Sequence, residues 1–597
     1  MPDKSWQKKP LLLSNEWMYI IAVGILSFLV FLPAMNYAFL TEWDDGGFIV
    51  QNPYLTLSLT NLQYWLTNTT QTVFTPVTMY SLMLDRWLFE LNPIGYHIHN
   101  MLLHGIAAML LYGIARHLGI SCKVAFLVTI LWAIHPQRIE SVVWITERKD
   151  VLAGVFGFGA VLLFMRAFDR RQMSIAATIL LLCAMGAKPS TVTLPGIMVI
   201  YAFSKCPKLS AIKFLLPEIF VTVGFYIYFY LISQSCLSGE TESFSRLLLV
   251  VTHNGMWYLV TAFIPFELNP IYPRIGFNLN TLSVLLIGCG IIVGIIATIR
   301  LVKASFYRTV LFAAAWLCLF LPVSSFVRFT NTDYCDRYNY LLAGVAWLGA
   351  GMLVDKVLEM TKNNLRKNLL FSSLAFFTAI IYLFLTWSYM PSWKNSTQLF
   401  TRALETTYPN TCAAVCLGLN GLNLNNPATL ELAGRTLIDL AEKNSEIRLP
   451  ENLKNADSAY FTGIYFIGMA YVLQEQYADA LQVLRLTEAA AYKKELNLYE
   501  AKTHLPKLWG SLATCYLKTG QVNDALRCLQ NQLNTLEPDT AEAWFCRGMI
   551  AFLKKDLQQA RRDWLKAKSI NDSDPKILHN LNRVETLLKT SQPVKAE

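Results

Sequence analysis

WMYIIAVGILSFLVFLPAMNYAFL, residues 17–40, carries no charge and is followed at once by Thr41-Glu42-Trp43-Asp44-Asp45-Gly46-Gly47. About 20 apolar residues suffice to cross a bilayer, so residues 17–40 read as a membrane span. The segment is longer than the ~7–15-residue apolar core of a cleaved signal peptide, which predicts a retained anchor. Lys4, Lys8 and Lys9 precede it, and basic residues hold the flanking segment in the cytoplasm. The acidic pair Asp44 and Asp45 then emerges on the outer face, at the membrane surface. Ionised groups at such a boundary are costly and are usually there for function.

The rest of the chain extends this reading. It has 597 residues, 54% hydrophobic and only 15% charged, against roughly 25% charged in average soluble proteins. The deficit lies before residue 390, after which charge returns and the long apolar runs stop. Run lengths predict about eleven spans, near 17–40, 97–116, 118–134, 151–168, 173–187, 190–204, 214–233, 281–299, 309–326, 339–355 and 368–390. The net charge of +10 comes mainly from short loops. These are Arg116 with Lys123, Arg166 with Arg170 and Arg171, Lys205 with Lys208 and Lys213, Arg300 with Lys303 and Arg308, and Lys356 with Lys362, Arg366 and Lys367. All fall on the cytoplasmic side if residues 244–266 lie at the outer interface instead of crossing. They are therefore topology signals and not a nucleic-acid surface. Twelve cysteines without a CxxC pair give no disulfide framework, and no GxxxxGK[ST] loop for a nucleotide occurs.

The predicted outer loops hold His97, His99 and His104, then 135–150 with Arg138, Glu140, Glu147, Arg148 and Lys149. Lys188, Arg274, Asp336, Arg337 and Tyr338 follow. Outer-face cations oppose the charge bias of the other loops, so Arg138, Arg148, Lys149, Lys188, Arg274 and Arg337 point to an anionic ligand. Asp44 or Asp45 is a general base for an attacking hydroxyl; the bland reading is a solvated helix cap. Arg337 is expected to clamp a donor phosphate, with Arg138, Lys188 and Arg274 in support; the bland reading is an ion pair with Asp333 or Asp336. Glu140 and Glu147 are expected to place Arg138 and Arg148. His97, Asn100 and His104 share a helix face, but no closed ligand set is legible, so no metal or other cofactor is expected.

Beyond residue 392 the sequence repeats with a period near 34. Trp509, Leu512, Tyr516, Gly520, Ala525 and Leu529 are matched by Trp544, Gly548, Ala560, Trp564 and Ala567. An earlier unit holds Gly468, Tyr471, Ala480 and Leu484. Residues 392–445 read as a degenerate unit and 576–590 as a capping helix. The expected fold is therefore all-α: a polytopic helix bundle over 1–391 and an extracytoplasmic tetratricopeptide-like α-solenoid over 392–597.

Several motifs together resemble a known family. They are the acidic pair with Asn52-Pro53, Thr75-Pro76-Val77-Thr78, Tyr96-His97-Ile98-His99-Asn100 with His104, HPQRIESVVWITERKDVL at 135–152, Lys188-Pro189 and Asp336-Arg337-Tyr338. In order and spacing the chain is similar to the transmembrane and tetratricopeptide-repeat O-mannosyltransferases, of the GT-C class, and looks like a bacterial relative. The resemblance covers roughly residues 17–400 as well as the repeats. It implies a glycosyltransferase of the inner membrane that moves a sugar from a polyprenyl-phosphate donor to an acceptor outside the cytoplasm. The acceptor is a protein recruited by the repeats, or a glycolipid. Resemblance to the acidic pair of GT-C enzymes favours Asp44 as the base. The competing class is a lipid-linked sugar flippase or a noncatalytic scaffold that displays the repeats. A transporter carries charges near the bilayer midplane; here they gather on one face.

Overall fold

The computed structural model describes residues 16–590 apart from 71–72, 207–208, 233–242, 267, 273–274, 276–278, 302–305, 327–331, 361–364, 407–409, 444–455 and 493–500. The chain divides into two compact units, Met1–Tyr408 and Pro409–Glu597. Among the described residues all regular structure is helical.

The first unit contains α1 (Glu16–Leu29), α2 (Leu59–Thr67), α3 (Pro76–Phe89), α4 (Pro93–His117), α5 (Cys122–Ala133), α6 (Arg138–Val143), α7 (Arg148–Asp169) and α8 (Ile175–Ala187). It continues with α9 (Leu194–Lys205), α10 (Leu216–Ile232), α11 (Phe244–Thr261), α12 (Leu279–Leu301), α13 (Phe306–Phe320), α14 (Asn339–Met360), α15 (Leu365–Tyr389) and α16 (Ser396–Thr406). At its centre α4 packs on α1, α5 and α7, and α7 packs on α8 and α9. The crossing of α1 and α4 is close because both helices carry glycine there. A Cβ on Gly105 would sit 2.9 Å from the Gly24 carbonyl oxygen.

Among the described residues five helices are long and apolar enough to cross a membrane: Pro93–His117, Ile145–Asp169, Thr281–Arg300, Asp336–Met360 and Leu369–Trp393. Buried share separates them. It is 72% for the span at Ile145 and 11% for that at Leu369, so the first lies inside the bundle and the second on its rim. Among the described residues of this unit, α1, α5, α8, α10 and the segment Tyr307–Val323 are shorter apolar helices.

Proline explains much of the shortening. Residues 17–40 do not form one helix: α1 stops at Leu29, and a 3-10 turn runs through Leu32–Asn36 with Pro33 at its start. Pro189 likewise opens a 3-10 turn, Pro189–Thr193, between α8 and α9. Proline is tolerated at the start of a helical turn and not inside a helix. Residues 244–266, read above as interfacial, hold an 18-residue helix, α11, that packs on α12 and α14. One side of it is buried, with Asn254 donating to the carbonyls of Ser324 (3.2 Å) and Asp333 (2.7 Å).

The second unit is a series of antiparallel helix pairs. These are α17 (Thr411–Asn423) with α18 (Pro427–Lys443), α19 (Ala456–Leu473) with α20 (Tyr477–Tyr492), α21 (Ala501–Lys518) with α22 (Val522–Thr535), and α23 (Ala541–Leu553) with α24 (Leu557–Ile570). A last helix, α25 (Pro575–Thr590), packs on α24. The repeated small residues sit where the pairs close: a Cβ on Gly548 would overlap the Trp564 indole. Trp564 itself is fully buried among Ala551, Ala560, Leu581 and Val584.

Candidate functional site

The site is built on the stretch 135–150, which turns through α6 and a 3-10 turn, Ile145–Glu147, into the first turn of α7. Every residue from His135 to Asp150 is buried. Consecutive side chains at the start of a helix diverge by about 100°, and the charges at 147–150 use that divergence. Arg148 points one way, Glu147 and Lys149 another.

Arg148 is locked behind the site. Its guanidinium donates to Asp85 (2.6 Å), the Tyr96 carbonyl (3.0 Å) and Ser81 (2.9 Å), and also to the Asn100 side chain. The Arg148 and Asp85 side chains are both fully buried. The second carboxylate oxygen of Asp85 meets His99 Nδ1 at 2.6 Å.

On the other side lies a chain of ion pairs. Arg337 binds Glu140 through its Nη1 and its backbone N–H (2.8 Å), and its Nε is 3.5 Å from Glu147. Lys149 Nζ bridges Glu147 at 3.0 Å and Asp44 at 3.7 Å. Lys188 pairs with Asp150, which also accepts from Ser141 at 2.8 Å. Aromatic faces support the cations. Arg337 lies over Trp144 (5.4 Å) and Tyr338 (5.2 Å), Lys188 over Tyr338 (5.4 Å), and Lys149 over Phe48 (4.9 Å).

The two acidic neighbours differ sharply. Asp45 is 1% exposed. It accepts from the Leu40 backbone N–H (2.9 Å), the Thr146 N–H (3.0 Å) and the Thr146 hydroxyl, so it fixes the 40–45 turn onto the start of α7. Burial pushes its carboxyl up to about 6, against the opposing effect of the Thr146 and Leu40 hydrogen bonds. The Asp44 side chain is 34% exposed, with Lys149 as its ion-pair partner. Next to it Trp43 packs against Trp144 (6.0 Å) and Phe400 (5.7 Å).

Several sequence expectations change. Glu140 and Glu147 hold Arg337 and Lys149, not Arg138 and Arg148. Arg138 is 1% exposed and instead donates to the Asn339 carbonyl (3.3 Å) and Gln137 (3.1 Å), between Trp132 and Tyr340. Arg337 pairs with neither Asp333 nor Asp336. Asp333 takes Arg246 at 3.2 Å, and Asp336 accepts from Gln137 and Tyr272, both at 3.1 Å. His97 is tied to the Tyr37 carbonyl (3.1 Å), and His104 to Tyr340 (2.8 Å) and the Ala133 carbonyl (3.1 Å). These two are interior packing groups. Arg274 lies outside the described residues. Among the described residues no group of three or more His, Cys, Asp or Glu is placed to hold a metal ion. Sequence reasoning missed Thr146 and Asp85, although Thr146 lies inside the quoted 135–152 motif.

No family model matches the chain. Individual proteins do. A Caenorhabditis elegans protein O-mannosyl-transferase, F38B6.6, is 28% identical over 136 residues, covering 21% of this chain and 20% of the relative. The human protein O-mannosyl-transferase TMTC3 is 27% identical over 133 residues, covering 21% and 14%. The mouse TMTC4 is 27% identical over 182 residues, covering 27% and 24%. Over these stretches the chain is similar to the TMTC O-mannosyltransferases. The match spans about a fifth of these relatives' length. Of solved structures, the tetratricopeptide-repeat domain of P58(IPK) aligns with 14% identity and a TM-score of 0.21, over 70% of this chain and 94% of that one. The repeat unit is defined by its own helix pairing.

Proposed function

We propose that this chain is a GT-C-type glycosyltransferase that moves a sugar from a polyprenyl-phosphate donor to a hydroxyl of a protein acceptor. The observation that carries the proposal is the difference between two adjacent carboxylates. Asp45 is buried and saturated with hydrogen bonds, while Asp44 is open and reaches a buried row of cations through Lys149. Asp44 accepts the proton of the acceptor hydroxyl as its oxygen attacks the anomeric carbon. The bond from that carbon to the phosphate oxygen breaks, and polyprenyl phosphate leaves with the bonding pair. Arg337, Lys149 and Lys188 neutralise the charge on the leaving group, an electrostatic effect of a few kcal/mol when the donors are preorganised. Glu140, Glu147 and Asp150 hold those cations in place. Asp336 and Tyr338 flank Arg337 in the turn that presents it. Side chains supply both proton transfer and charge neutralisation, so the reaction needs no cofactor.

The proposal includes a topology. About eleven crossings, with the N-terminus in the cytoplasm of a bacterium, put Asp44 and the repeat unit on the outer side of the inner membrane. There the repeats recruit the acceptor, and a lipid-linked donor is available where a soluble nucleotide sugar is not.

The test is turnover by purified protein given defined polyprenyl-phosphate sugars and candidate acceptors, with released polyprenyl phosphate as the readout. Acceptor-dependent release that disappears in Asp44→Asn supports the proposal. Transbilayer movement of the donor without release favours a flippase and defeats it.

A further inference from the structure

The far end of α7 carries a second cluster of charge. The helix is 22 residues long, about 33 Å at 1.5 Å per residue, close to the ~30 Å hydrocarbon thickness of a bilayer. Asp44, Lys149 and Asp150 are at its first turn; Arg166, Asp169 and Arg170 are at its last. The second cluster therefore lies at the opposite membrane boundary and plays no part in the proposed reaction.

Four elements converge there. Asp169 accepts from the α9 residue Tyr201 at 2.8 Å and pairs with His117 of α4 at 3.2 Å. Lys205, in the last turn of α9, lies 3.9 Å from Asp169 and close enough to Arg308 of α13 to be repelled by it. Arg170 acts on Arg166 in the same way. Phe168, Tyr201 and Phe214 form an aromatic floor, with Phe168 at 6.2 Å from Tyr201 and 5.5 Å from Phe214. Lys205 stands over Tyr201 at 5.4 Å and Lys213 over Phe214 at 5.0 Å.

Of these cations Lys205 reaches Asp169, whose carboxylate Tyr201 and His117 also engage, while Arg166 with Arg170 and Lys205 with Arg308 are like-charge neighbours. The Arg166 Nε–H is buried without a hydrogen-bond partner. Cations that served only to orient the chain would be as effective scattered along their loops. Arg166 and Arg170, one helical turn apart, repel each other, and an anion beside them would relieve that repulsion and take up the Arg166 Nε–H. Apolar side chains follow the cluster in sequence, Met173 51% exposed before α8 and Ile175 76% exposed at its start, so an acyl chain has a surface to lie on.

We propose that this cluster binds the phosphate of an anionic phospholipid in the leaflet opposite Asp44. Arginine donors and lysines between helix ends suit a phosphodiester headgroup at that depth.

Native mass spectrometry of the full-length protein released from detergent, titrated with phosphatidylglycerol, phosphatidylcholine or inorganic phosphate, tests this. Retained phosphatidylglycerol in preference to phosphatidylcholine is expected, with affinity falling roughly fivefold for each cation removed. The double variant Arg166→Gln/Arg170→Gln should lose about 25-fold by the same measure, and Arg308→Gln, on a different helix, is a second variant should the first not fold. Equal retention of phosphatidylglycerol by wild type and a folded variant overturns the site. Binding of inorganic phosphate as tight as that of phosphatidylglycerol overturns the lipid assignment.

Discussion

Arg337 and Glu140 are joined twice: the guanidinium binds one carboxylate oxygen and the Arg337 backbone N–H donates to the other at 2.8 Å. The double contact fixes the Asp336–Tyr338 turn onto α6, and with it the direction of the guanidinium over Trp144. One residue thereby has two duties, packing and charge, and the first prediction has to separate them.

Arg337→Ala removes the charge and leaves Glu140 and Glu147 buried without that partner, which destabilises as well as inactivates. Breaking a buried pair costs about 3–5 kcal/mol. Arg337→Ala/Glu140→Gln relieves part of this cost while still lacking the clamp. We expect the double variant to melt closer to wild type yet to bind polyprenyl phosphate as weakly as Arg337→Ala. Arg337→Lys should lie between wild type and Arg337→Ala in donor affinity, since an ammonium cannot span two phosphate oxygens. Donor affinity restored in the double variant would remove Arg337 from the donor site.

Asp44→Asn should fold and bind donor like wild type, because Asp44 is partly exposed and contributes only a 3.7 Å contact to Lys149. Turnover should fall by about 10²–10⁴-fold, the usual scale for losing a general base. Single-turnover release of polyprenyl phosphate measures this. Near-wild-type turnover would move the base elsewhere.

These two experiments address residues that stand out in the sequence, and the contrast with the others is physical. The acidic pair stood out because charge beside an apolar run is costly whatever the fold. Arg337 stood out because it opposes the charge bias. Their partners did not stand out. Thr146 reaches Asp45 across 101 positions, and Glu140 reaches Arg337 across 197, so no local pattern connects them. Proximity in sequence suggested Glu140 with Arg138 and Glu147 with Arg148, yet Arg138 donates to the Asn339 carbonyl and Gln137, and Arg148 is held by Asp85, Tyr96, Ser81 and Asn100. The helix pairs of the second unit were legible because their small and aromatic residues repeat. Span count was harder, because apolar length does not reveal where a proline breaks a helix, as at Pro33 and Pro189.

Asp45 gives a prediction in pH. Its carboxyl titrates near 6 in the folded chain against about 3.9 unfolded, so the unfolded state ionises first as pH rises. The folded state loses stability through that window, and the loss is complete above pH 6. It amounts to at most about 3 kcal/mol. Asp45→Asn cannot ionise. The melting temperature of wild type relative to Asp45→Asn should therefore be more favourable at pH 4.5 than at pH 7.5. A constant difference across that range would mean that Asp45 does not titrate there.

The Arg148–Asp85 pair provides the last prediction, on how the start of α7 is held. Both side chains are fully buried, and Arg148 also donates to Tyr96, Ser81 and Asn100. Arg148→Met leaves the buried Asp85 carboxylate with His99 but without its guanidinium, and Asp85→Leu leaves the buried guanidinium without its carboxylate. Each single change should cost about 3–5 kcal/mol. Replacing a whole buried pair by apolar groups of similar volume is often nearly neutral, so Arg148→Met/Asp85→Leu should recover much of the stability in a thermal melt. Recovery is expected to be incomplete, because the Tyr96 carbonyl, Ser81 and Asn100 lose a donor. Turnover should follow stability in this series, since the pair faces away from Asp44 and acts by fixing the segment that carries Glu147 and Lys149. A double variant as stable as wild type but with weakened donor binding would instead bring Arg148 into contact with the donor.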